Sequence, residues 1–240
     1  MSANRAALRK ILNSKIIIAP GVYDGLSARL ADSAGFEALY LSGYGVSASQ
    51  LAKPDNGFLT LPDMEARIQS LCEAISTPLI ADADTGFDDI GATVQAYEKA
   101  GAAGIQIEDQ QVPKICGHIP CREVVSRDEA VAKITEAVAA RQDDDFLIVA
   151  RTDAREQNGL DEAIERGRLF AAAGADICLS SRRKAKKNFA KSEPLRAICP
   201  CLPIWSKAVA VRSSPARNWL RWASASSFIR SLRWRRQPLR

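Results

Sequence analysis

Four carboxylates in two short stretches are the first residues that could do chemistry. Asp82-Ala-Asp84 and Glu108-Asp109 each close an apolar run, Pro78–Asp82 and Gly104–Glu108. On a strand, period-two geometry puts Asp82 and Asp84 on one face. Gathering such acids is costly unless they share a cation, and hard oxygen donors suit Mg²⁺, with Mn²⁺ as a substitute. A single acid here reads most simply as a helix cap, but the clustering favours a metal. Lys114-Ile-Cys116-Gly117-His118 follows in the next loop, and His118 is the only histidine. A cation such as Lys114 beside a thiol lowers its pKa, which makes Cys116 a candidate proton carrier or nucleophile. Cys-Gly-His with Cys121 lacks a zinc-ligand spacing. Arg151-Thr152-Asp153 offers a guanidinium fork to a carboxylate, or an ion pair to a nearby acid, and spacing leaves both open. Ser42-Gly43-Tyr44-Gly45 offers backbone amides to an anion and Tyr44 as a base, or is a simple turn.

These residues sit at the ends of short apolar runs: Lys15–Ala19, Ala38–Ser42, Pro78–Asp82, Gly104–Glu108, Phe146–Ala150 and Ala175–Cys178. Between them lie helical patterns such as Asp88–Lys99 and Ser126–Arg141, with apolar residues at i, i+3, i+4 and i+7. Near-continuous strands alternating with helices predict a parallel sheet covered on both faces. Ala34-Gly35, Ala100-Gly101 and Ala173-Gly174 each stand between a helix and a strand, where a glycine takes the left-handed helix end. No glycine-rich dinucleotide fingerprint follows the first strand, so the pattern predicts a (β/α)₈ TIM-type barrel with about six βα units intact.

The 240-residue chain is 47% hydrophobic and 25% charged, as in soluble globular proteins. No apolar run is long enough to span a membrane, and Met1–Lys10 lacks the apolar core of a secretory leader. Six cysteines are too few for a disulfide scaffold, so a cytoplasmic, reduced protein is expected. The net charge of +5 hides two texts. Residues 182–240 hold 16 Lys and Arg against one acid, Glu193, whereas residues 1–181 hold 17 basic and 27 acidic residues. All 14 glycines lie before residue 182 and all four tryptophans after it. The chain is read as an incomplete barrel over 1–181 and a basic, poorly packing tail over 182–240.

Ser42–Gly45, Asp82-Ala-Asp-Thr-Gly86, Ile107-Glu-Asp-Gln110, Pro113–His118 and Ala150–Asp153 together resemble the isocitrate lyase/phosphoenolpyruvate mutase superfamily. Their order and spacing match along residues 13 to about 178. The Lys-x-Cys-Gly-His form is similar to the lyase branch, such as 2-methylisocitrate and dimethylmalate lyases. The mutases lack that cysteine. The resemblance implies Mg²⁺-dependent cleavage of a 2-hydroxy di- or tricarboxylate to a 2-oxo acid and a second carboxylate. It assigns Asp82, Asp84 and Glu108 to the metal, partly through water, with Asp55 nearby. Tyr44 would be the base on the hydroxyl, and Cys116, beside Lys114, the proton donor. Ser42, Gly43, Gly117, His118 and Arg151 would hold carboxylates. It implies a small carboxylate substrate, no nucleic acid or membrane partner, and a homo-oligomer paired through C-terminal helices. Other reactions of the same fold are a carboxy-phosphoenolpyruvate-type phosphonomutase and an oxaloacetate decarboxylase.

The tail departs from that pattern. Family members continue with a Phe-Val-Glu segment and then a seventh strand ending Ala-Asn-Met-Val-Glu-Gly-Gly. A reading frame shifted by one base permits Phe-Val-Glu from Ser180 and Asn-Met-Val-Glu-Gly-Gly from Ile204, so a frameshift near Cys178 is read here. Without strands seven and eight the sheet would have open edges. A further alternative to the lyase reading is then an inactive remnant with a basic tail. Trp219-Leu-Arg-Trp222 and Arg233-Trp-Arg-Arg236 mimic an anion-binding patch by composition alone.

Overall fold

A computed structural model describes residues 2–14, 17–117, 119–181 and 208–211. Helix α1 (Ser2–Ser14) leads into β1 (Ile17–Val22), and the chain then alternates. It runs through α2 (Gly25–Ser33), β2 (Leu39–Leu41), the short α3 (Gly43–Val46), a wide helical turn (Ser47–Leu51) and α4 (Leu61–Ala74). β3 (Leu79–Asp82), α5 (Ile90–Lys99), β4 (Gly104–Glu108), α6 (Arg127–Ala140), β5 (Leu147–Thr152), α7 (Leu160–Ala172) and β6 (Ile177–Ser180) follow. β1 to β6 pair in parallel, in sequence order. The six strands form a curled half-barrel with helices outside, as the sequence predicts. Gly35, Gly101 and Gly174 have φ of +76°, +100° and +97°, the left-handed helix ends foreseen for them.

One expectation about the tail is corrected. Ala208–Val211 forms β7, antiparallel to β1, and covers the sheet edge that was read as open. The remaining tail, with both Trp/Arg clusters, lies outside the described residues.

Helix starts have local causes. Asp24 with Ser27, and Thr60 with Asp63, form reciprocal caps on α2 and α4. Asp89 and Ser126 cap α5 and α6, so Asp82, Asp84 and Glu108 are not needed as caps. Period-two alternation then sorts the strands. Leu39, Leu41, Leu79, Ala81, Ile105, Ile107, Ile148 and Ala150 pack outward against the helices. Tyr40, Ile80, Leu147 and Val149 face the interior, which Leu8 and Leu12 of α1 plug from the N-terminal end of the strands. Arg5 locks this plug by donating to the carbonyls of Ala102 (2.9 Å) and Glu98 (2.6 Å) while lying over the Phe146 ring. The same inner phase carries Asp82, Gln106, Glu108 and Arg151 at the C-terminal end, with Asp82 opposite Gln106 and Glu108 opposite Arg151. The interior is therefore apolar below and charged above.

Among the described residues, no helix is long and apolar enough to cross a membrane.

Candidate active site

Asp82, the last residue of β3, is held from several sides. The Gly43 amide donates to its Oδ2 at 3.3 Å and the Gln106 side-chain amide to its Oδ1 at 3.3 Å. Tyr97 donates to its carbonyl at 2.9 Å. The sequence expectation that Asp82 and Asp84 share a strand face is corrected. The strand ends at Asp82 and Asp84 takes a left-handed turn (φ +50°). The two still converge, because a Cβ on Gly43 would stand 3.2 Å from Asp82 Oδ2 and 3.5 Å from Asp84 Oδ1. A side chain at position 43 would therefore crowd both acids, and the Gly43 amide serves Asp82 at the start of α3, where Ser42 caps the Gly45 amide.

Lys114 reaches over from its loop and pairs with both Asp55 and Asp84, all three buried. Its ammonium is aimed at these two carboxylates. Those acids outweigh burial and raise its pKa. Of the two roles left open for Arg151, the structure displays the ion pair. Its fork meets Glu108 Oε2 at 2.9 Å and Asp153 Oδ2 at 2.9 Å. Gln110 donates to Glu108 (2.9 Å) and Asp153 (2.7 Å), and its carbonyl oxygen accepts the Ile115 amide at 3.2 Å, so one side chain ties the acids to the loop. Gly117 lies on Arg151, where a Cβ would come within 2.5 Å of a guanidinium nitrogen. Cys116 is buried beside it and Tyr44 is half-buried in α3. His118 lies outside the described residues. Asp109 turns away, pairing with Arg166 at 3.1 Å.

Two contributors were not read from the sequence. Tyr40, inside the apolar run of β2, brings its phenol to Gln106 (2.7 Å) and Asp82. Burial, and then Asp82, push its pKa well up, so it is a protonated donor. Its place two residues before Ser42 is the period-two signal that could have found it. Arg122, for which no motif exists, is taken up below.

Burial, reinforced by Asp82, pushes Asp84 up to about 6. Burial pushes Glu108 up to about 8 against the pull of Arg151. Between roughly pH 4.5 and 8 the folded chain then binds more protons than the unfolded one, so its stability must fall as pH rises. Asp32, Asp63, Asp153 and Glu162 are lowered and act only below that window. In chelator, the unfolding midpoint should therefore decline from pH 5 to pH 8, a trend about these acids that thermal melts across that range would contradict by rising.

Among the described residues, no three His, Cys, Asp or Glu side chains form a ready-made metal cage. The carboxylates instead meet the cations Lys114 and Arg151.

Residues 8–204 match the family described as phosphoenolpyruvate phosphomutase, a span wider than the motifs alone cover. The chain is 51% identical to a 2,3-dimethylmalate lyase of Eubacterium barkeri over 176 residues, 72% of this chain and 61% of that protein. It is 47% identical to a 2-methylisocitrate lyase of Aeropyrum pernix over 186 residues, 76% of this chain and 59% of the other. A phosphonopyruvate hydrolase solved in complex with oxalate and Mg²⁺ superposes with a TM-score of 0.71 at 36% identity, covering 77% of this chain and 65% of that one. The chain spans about three-fifths of the length of these curated relatives. On this likeness of sequence and fold, the chain belongs to the phosphoenolpyruvate phosphomutase family, within the PEP mutase/isocitrate lyase superfamily.

Proposed function

We propose that this rim belongs to a Mg²⁺-dependent carbon–carbon lyase, with Mn²⁺ as a substitute. It would split a 2-hydroxy di- or tricarboxylate of the 2,3-dimethylmalate or 2-methylisocitrate kind into a 2-oxo acid and a second carboxylate. The observation that carries this reading is a charge imbalance. Asp55, Asp82, Asp84, Glu108 and Asp153 are gathered with Lys114, Arg151 and Arg122. Arg122 is met by Glu156 as well as Asp153, so acids outnumber cations in this buried site, and the burial that raises Asp84 and Glu108 is what a divalent cation would offset. Asp82, Asp84 and Glu108 would hold it, with Asp55 beside them. Mg²⁺ keeps several waters and takes few carboxylates directly, so the acids need not all touch it. When bound, the metal polarises the substrate's oxygens and offsets the negative charge that develops on cleavage.

The chain's own residues supply the rest. Tyr44 takes the hydroxyl proton. Cys116 gives its proton to the carbanion of the departing acid, leaving a thiolate. Arg151, His118, Gly117 and the Ser42-Gly43 amides receive carboxylates, and Lys114 holds Asp55 and Asp84 in place. The thiols of Cys72, Cys116, Cys121 and Cys178, none in a disulfide, accord with a cytoplasmic home.

The experiment is a Mn²⁺ titration followed by electron paramagnetic resonance. Asp84→Ala should weaken binding by at least roughly tenfold, the least that disturbing a metal's surroundings costs. Unchanged affinity would reject the metal assignment.

A further inference from the structure

Arg122 is almost fully buried, 4% exposed, and one side chain bonds three separate segments. One guanidinium nitrogen donates to the carbonyls of Gly117 (2.6 Å) and Ile119 (2.7 Å). The Ile119 amide in turn donates to the Cys116 carbonyl at 2.8 Å, tying the backbone that Arg122 holds to the residue that carries the thiol. The other side of the guanidinium faces the loop after β5, with Glu156 Oε2 at 2.8 Å and Asp153 Oδ2 at 3.5 Å. It also donates to Ser181 Oγ, just past β6, at 3.4 Å. A guanidinium, planar and always charged, can donate to two carbonyls on one side while its charge faces two carboxylates on the other. A buried guanidinium is tolerated only where such partners hold it. The turn it holds also lies on Arg151, through Gly117.

We infer that Arg122 is a positioning residue, a clamp that fixes the backbone of Gly117 and Ile119 down onto the ends of β5 and β6 and so keeps the neighbouring Cys116 thiol shielded. The importance of the clamp rests on the reading of Cys116 as the proton donor, but its existence does not. It touches no reacting atom. It acts by making the open turn rare, and local opening is a free energy that a chemical probe can read.

The test is the rate of iodoacetamide alkylation of each cysteine in the full chain, read by peptide mass spectrometry. Cys72, on α4 and pushed up to about 11 by burial, is the internal control, and the exposed Cys121 is the fast reference. Arg122→Met should speed alkylation of Cys116 by roughly ten- to a hundredfold, the worth of one or two charge-assisted hydrogen bonds, with Cys72 unchanged. Arg122→Lys cannot span both carbonyls and the carboxylates, so it should fall between. Glu156→Gln removes one anchor without touching the site and should give a smaller rise of the same sign. Equal Cys116 rates in all the variants would overturn the clamp. So would Cys72 accelerating in step with Cys116, because Arg122 would then hold the fold at large. Should Cys116 prove dispensable for cleavage, these rates would be unaffected, so the two ideas fail separately.

Discussion

Restoring the reading frame after Cys178 is expected to turn an aggregation-prone chain with little lyase activity into a soluble, oligomeric and active one. The proposal that the tail is frameshifted rests on the family-like strings that the shifted frame permits, and two further features accord with it. Sixteen cations against one acid repel one another over residues 182–240, and no glycine is present there to build turns. Six parallel strands need two more to close a barrel, and β7 runs antiparallel to β1 instead of continuing the barrel. Expressing both versions side by side, and comparing solubility and thermal unfolding, checks this. If the 240-residue chain unfolds in one sharp transition and matches the restored protein in turnover, the tail is a genuine adaptation and the frameshift is rejected.

The second large effect is at Cys116. In the frame-restored protein, Cys116→Ser should lower cleavage by roughly 10²–10⁴, the usual contribution of a positioned acid. The change is nearly isosteric, so folding and substrate binding should persist, but a hydroxyl is a far weaker acid than a thiol. A fall in kcat with little change in KM is the expected signature. Wild-type rates with dimethylmalate-like and methylisocitrate-like substrates would remove Cys116 from the reaction.

Much of the scaffold was legible because its signals are local. Continuous apolar runs fixed the six parallel strands, and Gly35, Gly101 and Gly174 marked the helix ends. The acids and Arg151 were legible because each stands at the end of such a run. What stayed hidden depends on register and on contacts distant in sequence. Tyr40 looks like one more apolar strand residue until its inward phase is known, Gln106 is a lone polar residue in the middle of β4, and Gln110 looks like an ordinary polar residue just past its end. Arg122 joins segments up to 59 residues away, and nothing in its neighbours foretells that. The turn at Asp84 was misread because a left-handed aspartate leaves the period-two pattern without a glycine to announce it. The partners of Arg151 could not be chosen from spacing, since a substrate carboxylate and Glu108 present the same chemistry to the guanidinium.

The most direct test of the central proposal is to follow 2-oxo acid release from 2,3-dimethylmalate and 2-methylisocitrate by the frame-restored protein, with Mg²⁺ and then with chelator. The expected result is release with at least one of the two substrates that stops on chelation and returns with added Mg²⁺. Release undiminished by chelator would contradict the metal-dependent reading. Turnover of phosphonopyruvate, with neither hydroxy acid cleaved, would contradict the lyase reading.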